Sequence, residues 1–256
     1  MLQPITLITG ASSGIGAELA RVFARHGHAI ALTARREDRL RQLANEIASA
    51  GGKPPNVIAA DLEAHDASAR LAQTLSERGL EPEIVVNNAG FGLAGDAADL
   101  DLTEQLKMID LNARALTDLS LRFIDSLARH RGGILNVASI ASFMPGPGLA
   151  VYHATKAYVL SFGEALGAEL KPRGVRVSTL CPGPVPTEFD ARAGFAPDAF
   201  PRILERSAER VAREGYERFM RGDRVIVPGT PNKAMTWLAR FLPTSIVMAL
   251  ADRRRQ

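Results

Sequence analysis

Short apolar runs recur along the chain, and the segments between them carry apolar residues at helical spacing. The runs fall at residues 5–9, 29–33, 56–60, 83–87, 133–138, 175–180 and 225–227. Several are continuous rather than alternating, the pattern of parallel strands covered on both faces. The 3.6-residue periodicity predicts helices near 14–26, 37–49, 66–78, 102–130, 152–171 and 202–221. Strands alternating with helices predict an α/β fold: a doubly wound parallel sheet of about seven strands with helices on both faces.

The length of 256 residues suits one domain spanning 1–256. Two stretches depart from the pattern. Residues 183–201 hold Pro184, Pro186, Gly194, Pro197 and Pro201, and so many breakers predict a mobile substrate loop. Residues 230–256 form a C-terminal extension with Trp237, Leu238 and Phe241 and a basic end, Arg253-Arg254-Arg255. It is read either as a segment packed on the body or on a partner subunit, or as a membrane-surface contact.

A formal charge of +3 is too small for a nucleic-acid footprint, so no nucleic-acid partner is expected. No apolar run is long enough for a transmembrane helix. The chain reaches its first strand almost at once, leaving no room for a signal peptide. Cys181 is the single cysteine, which excludes an internal disulfide, and its neighbours suit a small buried hydrophobe. These features predict a cytoplasmic protein. No metal site is expected.

Candidate chemistry lies at both ends of the pattern. The strand at 5–9 runs into Gly10-Ala11-Ser12-Ser13-Gly14-Ile15-Gly16 and then into a helix. That is the context in which a helix N-terminus holds a phosphate. Gly10 permits the turn, Gly14 lets the backbone approach a pyrophosphate, and Gly16 lets the helix pack closely. Farther on, Tyr152 and Lys156 stand one helical turn apart in YHATK, so phenol and ammonium share a face. A neighbouring cation favours the phenolate, which predicts a phenol below its ordinary pKa of about 10. Alone, Y-x-x-x-K is more often a solvated helix face. Ser139 ends an apolar run thirteen residues before Tyr152, whereas Ser142 does not end it and Tyr158 has no lysine four residues on. His153 points to a different helix face and reads as structural or pocket-rim.

Thr9-Gly10-Ala11-Ser12-Ser13-Gly14-Ile15-Gly16, Asn87-Asn88-Ala89-Gly90, Asn112, Ser139, Tyr152-x-x-x-Lys156 and Pro182-Gly183 follow one another in this order. Together they resemble the compact subgroup of the short-chain dehydrogenase/reductases, over residues 5 to about 190. The resemblance implies a Rossmann fold, a nicotinamide dinucleotide and hydride exchange with a carbonyl or secondary alcohol. It implies that Asn112, Ser139, Tyr152 and Lys156 are catalytic. Tyr152 would exchange the proton, Ser139 hold the carbonyl oxygen, and Lys156 bind the nicotinamide ribose. Asn112 would anchor a water linking Lys156 to solvent. It places Gly10, Ser12, Ser13, Gly14, Ile15, Gly16, Asp61, Leu62, Asn88, Ala89, Gly90, Tyr152, Lys156, Pro182 and Gly183 along the cofactor. Asp61 equally suits an N-cap before the helix at 66–78. Self-association as a dimer or tetramer through 102–130 and 152–171 is implied too. The alternative is a non-catalytic dinucleotide-binding regulator or scaffold on the same fold.

In dinucleotide folds an acid about 20 positions beyond the glycine loop binds the ribose hydroxyls of NAD. Here the second strand ends Thr33-Ala34-Arg35-Arg36, with no acid. Arg35 and Arg36 suit a 2′-phosphate, so NADP(H) is expected in preference to NAD(H). The same arginines equally open a charged helix. Phe143, Met144, Pro145, Leu149, Phe189, Phe195 and Phe200 are candidate pocket residues, and they lean toward a hydrophobic carbonyl or alcohol substrate.

Overall fold

The structure is a computed structural model that describes residues 2–195, 200–243 and 246. Every predicted apolar run forms a strand: β1 (Gln3–Thr9), β2 (Ile30–Ala34), β3 (Asn56–Ala59), β4 (Leu80–Asn87), β5 (Gly133–Val137), β6 (Arg176–Leu180) and β7 (Val225–Ile226). They make one sheet in the order β3-β2-β1-β4-β5-β6-β7, parallel throughout. Successive strand residues feed two different cores. Ile8, Leu32, Val86 and Leu135 join one, and Leu7, Ala31, Val85 and Ile134 join the other. This is why the strands read as continuous apolar runs.

Helices α1 (Gly14–Arg25), α2 (Glu37–Ser49) and α3 (Ala67–Glu77) match their predicted positions closely. The helix expected over 102–130 is broken. It runs as α4 (Leu102–Ile109), a π-helical turn (Asp110–Ala115), α5 (Leu116–Arg122) and α6 (Ile124–Arg129). A π-turn is costly and marks functional sites, and Asn112 lies inside this one. Next come α7 (Ala150–Leu170), α8 (Glu188–Ala193), α9 (Ala208–Met220) and α10 (Thr230–Phe241). The segment expected to be loop at 183–201 thus contains a helix. Thr187 caps α8 by accepting from the Phe189 N–H, and Gly194 ends it in the left-handed region. Residues 196–199, with Pro197, lie outside the described residues.

The extension begins as α10, which buries Asn232 and Thr236. Trp237 and Phe241 on the same helix are 69% and 68% exposed. Its basic end lies outside the described residues. Among the described residues no helix is long and apolar enough to cross a membrane.

The chain runs outward from β1 to β3, then crosses back to β4 on the other side of β1. Loops leaving the carboxyl ends of β1 and β4 therefore diverge, opening the crevice where such sheets bind ligands.

Candidate active site

The glycine loop leaves β1 at this crevice. Gly10 and Gly14 have φ of +64° and +56°, a region that side chains other than glycine rarely adopt. Gly16 is needed for space: a Cβ there would lie 2.4 Å from both the Gly10 carbonyl oxygen and Asn88 Nδ2. Asn88 fixes the loop from the end of β4, its Nδ2 donating to the carbonyls of Thr9 (3.0 Å) and Gly10 (3.1 Å). The Thr9 hydroxyl returns the grip, accepting from Asn88 N (2.9 Å) and Ala89 N (3.0 Å).

One cavity of about 660 Å³ follows the carboxyl edge of the sheet. It is lined by Gly10, Ser12, Ser13, Gly14, Ile15, Arg35, Arg36, Asp61, Leu62, Asn88, Ala89, Gly90, Ser139, Tyr152, Lys156, Pro182 and Gly183. Of the residues expected to be catalytic or to bind the cofactor, Gly16 and Asn112 are not part of the lining. The two arginines part company. Arg35 pairs with Glu63 at 2.9 Å, while Arg36 donates to Ser12 Oγ and Ser13 Oγ at 3.0 Å each. A guanidinium and two hydroxyls converging on one point can receive an anion. Asp61 does not cap α3. Its Oδ1 accepts from Glu63 N (3.1 Å), and the N-cap position belongs to Asp66.

Tyr152 and Lys156 both arise from α7. Lys156 is 5% exposed, and its Nζ donates to the Val137 carbonyl at 3.0 Å and lies 5.8 Å from the Tyr152 ring centre. Burial brings the ammonium down to about 8. Burial likewise pushes the Tyr152 phenol up to about 12, against a hydrogen bond with Ser139 that pulls it down, while Asp190 adds to the rise. The expected lowering of the phenol by Lys156 is therefore not met. A lysine titrating near 8 has lost its charge before a phenol near 12 ionises.

Ser139 follows β5, and its Oγ also accepts from Ala141 N (3.1 Å). Ser142 is committed elsewhere, its hydroxyl donating to the Lys156 carbonyl at 2.7 Å. Tyr158 is exposed and hydrogen-bonds Thr117 at 2.8 Å. His153 is tied to the Met144 carbonyl through Nδ1 (2.7 Å) and borders the cavity. Asn112 is buried. Its Oδ1 accepts from Phe91 N (3.1 Å), and its Nδ2 donates to the Phe91 carbonyl (2.9 Å) and Thr155 Oγ1 (3.1 Å). A Cβ on Gly90 would be 2.8 Å from Asn112 Oδ1 and 3.4 Å from Lys156 Nζ, so the two groups approach the same residue.

Met144, Leu149, Phe189, Phe195 and Phe200 line the cavity as expected; Phe143 and Pro145 do not. Phe143 instead packs against the Arg240 guanidinium, 5.1 Å away. Sequence reasoning missed the charged face of α8. Glu188 pairs with Arg36 at 2.7 Å, and Arg192 lies 3.6 Å from Glu63 and 3.9 Å over the Phe91 ring. Asp190 faces the cavity between them, its carboxyl raised by burial. Cys181 is fully buried and its thiol is pushed up to about 12, as an inert core residue should be. Among the described residues no cluster able to hold a metal is found.

The family model described as short chain dehydrogenase matches residues 4–195. A sulfoacetaldehyde reductase 2 of Chromohalobacter salexigens is 38% identical over 193 residues, covering 73% of this chain and 75% of the relative. A very-long-chain 3-oxoacyl-CoA reductase of Anas platyrhynchos is 33% identical over 255 residues, covering 95% and 77%. A solved short-chain dehydrogenase from Sphingobium yanoikuyae in complex with NADPH superposes with a TM-score of 0.81 at 32% identity, covering 94% of this chain and 96% of that one. The chain belongs to the short-chain dehydrogenase/reductase family and is a nicotinamide-dinucleotide-dependent oxidoreductase acting on carbonyls or alcohols.

Proposed function

We propose that this protein is an NADPH-dependent reductase of apolar ketones or related carbonyls. The observation that carries the proposal is the joining of two sites in one cavity: Ser139, Tyr152 and Lys156 at one end, and Arg36 with Ser12 and Ser13 at the other. The second set fits a 2′-phosphate, since no acid stands at the end of β2 to repel it. The glycine loop fits a pyrophosphate, because any side chain at Gly10 or Gly16 would strike the neighbouring backbone.

The bound nicotinamide supplies the hydride. Tyr152 gives its phenolic proton to the carbonyl oxygen, and Ser139 holds that oxygen by a hydrogen bond. Lys156 and Asn112, both near Gly90, form the route by which a proton returns to Tyr152. Burial pushes the Tyr152 phenol up, so it holds its proton at neutral pH and is available as the acid in the reductive direction. The apolar lining by Met144, Leu149, Phe189, Phe195 and Phe200 favours a hydrophobic substrate. The 3-oxoacyl-CoA named for the Anas platyrhynchos relative is a ketone of that kind.

Fluorescence titration with NADPH and NADH, followed by turnover on ketones of increasing apolar size, tests the reading. NADPH binding at least about tenfold tighter is expected from one charge-assisted contact. Equal affinities would remove the NADP preference and leave the catalytic assignment standing. Binding of neither cofactor would overturn the reading of this cavity as the dinucleotide site.

Leu102, Leu106, Ile109, Leu121 and Tyr158 are exposed on α4, α5 and α7 or near them. This apolar face supports homo-oligomerisation through those helices. Trp237, Leu238 and Phe241 support a second covered surface on α10, facing a subunit or a membrane.

A further inference from the structure

Arg36 is held by an anion that the chain itself provides. Its Nη2 lies 2.7 Å from Glu188 Oε2, and the same nitrogen donates to Ser12 Oγ and Ser13 Oγ. Glu188 opens α8, on the opposite wall of the cavity from the start of α2. Its carboxyl is held below the usual carboxylate range, first by the hydrogen bond from Arg36, with Ser13 and Arg39 adding to the effect. A guanidinium, the Ser13 hydroxyl and a second arginine thus act on one carboxylate, while Ser12 shares the same guanidinium nitrogen. A phosphomonoester needs the same partners: N–H and O–H donors on anionic oxygens, backed by positive charge. A carboxylate left beside a bound phosphate would repel it.

We propose that Glu188 is an internal competitor for the 2′-phosphate of NADP(H), occupying the phosphate's position on Arg36 until the cofactor displaces it. Glu188 is thereby a specificity-determining residue that reduces the preference for NADPH over NADH. The proposal rests on Arg36 as the reader of the 2′-phosphate. It also ties the cofactor to the substrate wall. Phe189, the next residue, stands 5.5 Å from the Tyr152 ring. Arg192, one turn on, anchors the far end of α8 at Glu63 and Phe91. Displacing Glu188 frees the end of α8 nearest the reacting tyrosine and leaves the other end fixed.

The test compares wild type and Glu188→Gln by titration with four probes: 2′,5′-ADP, ADP, NADPH and NADH. The Arg36–Glu188 pair is solvent-exposed on both sides, so the pair alone contributes about a two- to fivefold effect, and relief of repulsion adds to it. Glu188→Gln is expected to tighten 2′,5′-ADP and NADPH by about threefold or more, with ADP and NADH unchanged. The gain should shrink at high salt and vanish in Arg36→Gln/Glu188→Gln. Uniform change across all four probes, or none, overturns the role of Glu188. If wild type prefers 2′,5′-ADP and Glu188→Gln leaves that ratio alone, the competitor is refuted while Arg36 stands. If neither variant prefers 2′,5′-ADP over ADP, Arg36 is not the reader and both fall. A preference that appears only in Glu188→Gln supports the competitor directly.

Discussion

Lys156→Met tests whether burial of the lysine costs the fold stability. An ammonium with an ordinary value of 10.5 is brought down to about 8 by burial, at a residue only 5% exposed. A drop of that size corresponds to about 3 kcal/mol against the folded state wherever both states are charged, that is, below pH 8. Methionine removes the charge and keeps most of the volume. It also orphans the Val137 carbonyl, which now accepts from Lys156 Nζ at 3.0 Å, at a cost of about 1–3 kcal/mol. The variant should therefore be equal to wild type or up to about 2 kcal/mol more stable at pH 7. The decisive quantity is the pH dependence. Between pH 8 and 10.5 the unfolded chain holds a proton that the folded chain has released, so wild-type stability rises with pH relative to the variant. Urea unfolding of both proteins at pH 7, 8.5, 9.5 and 10.5 should show the variant losing about 3 kcal/mol of relative stability across the series. A difference that stays flat with pH would show that Lys156 keeps its charge in the folded protein, and the explanation for its failure to lower Tyr152 would go with it. Turnover by Lys156→Met should be strongly reduced at every pH.

Tyr152→Phe keeps the ring that packs on Phe189 and loses the proton. It should lower kcat by about 10²–10⁴ while the NADPH dissociation constant stays within about twofold; near-normal turnover would unseat Tyr152 as the acid. Deletion of residues 243–256 should abolish co-sedimentation with anionic vesicles if α10 and its basic end meet a membrane. Equal sedimentation with and without them would refute a membrane role for the basic end.

The sheet was legible because its central strands, such as β2, β5 and β6, are buried on both faces, so they show as apolar runs. The glycine loop was legible for a related reason: Gly10 and Gly16 answer local constraints, a positive φ and a close approach, that few other residues satisfy. The π-turn at Asp110–Ala115 was not legible. Its apolar spacing differs little from that of an α-helix, and what holds it is distant, the bonds from Asn112 to Phe91 and Thr155. Helix α8 did carry signals, Thr187 as cap and Gly194 as stop. Pro184 and Pro186 just before it outweighed a helix of only six residues. The Glu188–Arg36 pair spans the cleft between distant parts of the chain, and no local pattern announces such a contact.

The same cause moves both ionisable groups of the site, and in opposite directions. Burial raises the phenol of Tyr152 and lowers the ammonium of Lys156, because each is pushed toward its neutral form. The two therefore do not form the charged pair that their spacing in YHATK suggests. Pairing tyrosinate with ammonium would need a further favourable charge or hydrogen bond at the site. A ribose hydroxyl accepting from Lys156, or a positive ring beside Tyr152, would act strongly there, since charge near two buried groups is screened weakly. The site is thus arranged so that its proton chemistry depends on what it binds. A spacing rule can therefore bring Tyr152 and Lys156 together on one face and still leave the phenol's pKa to be set by burial, which the sequence does not show.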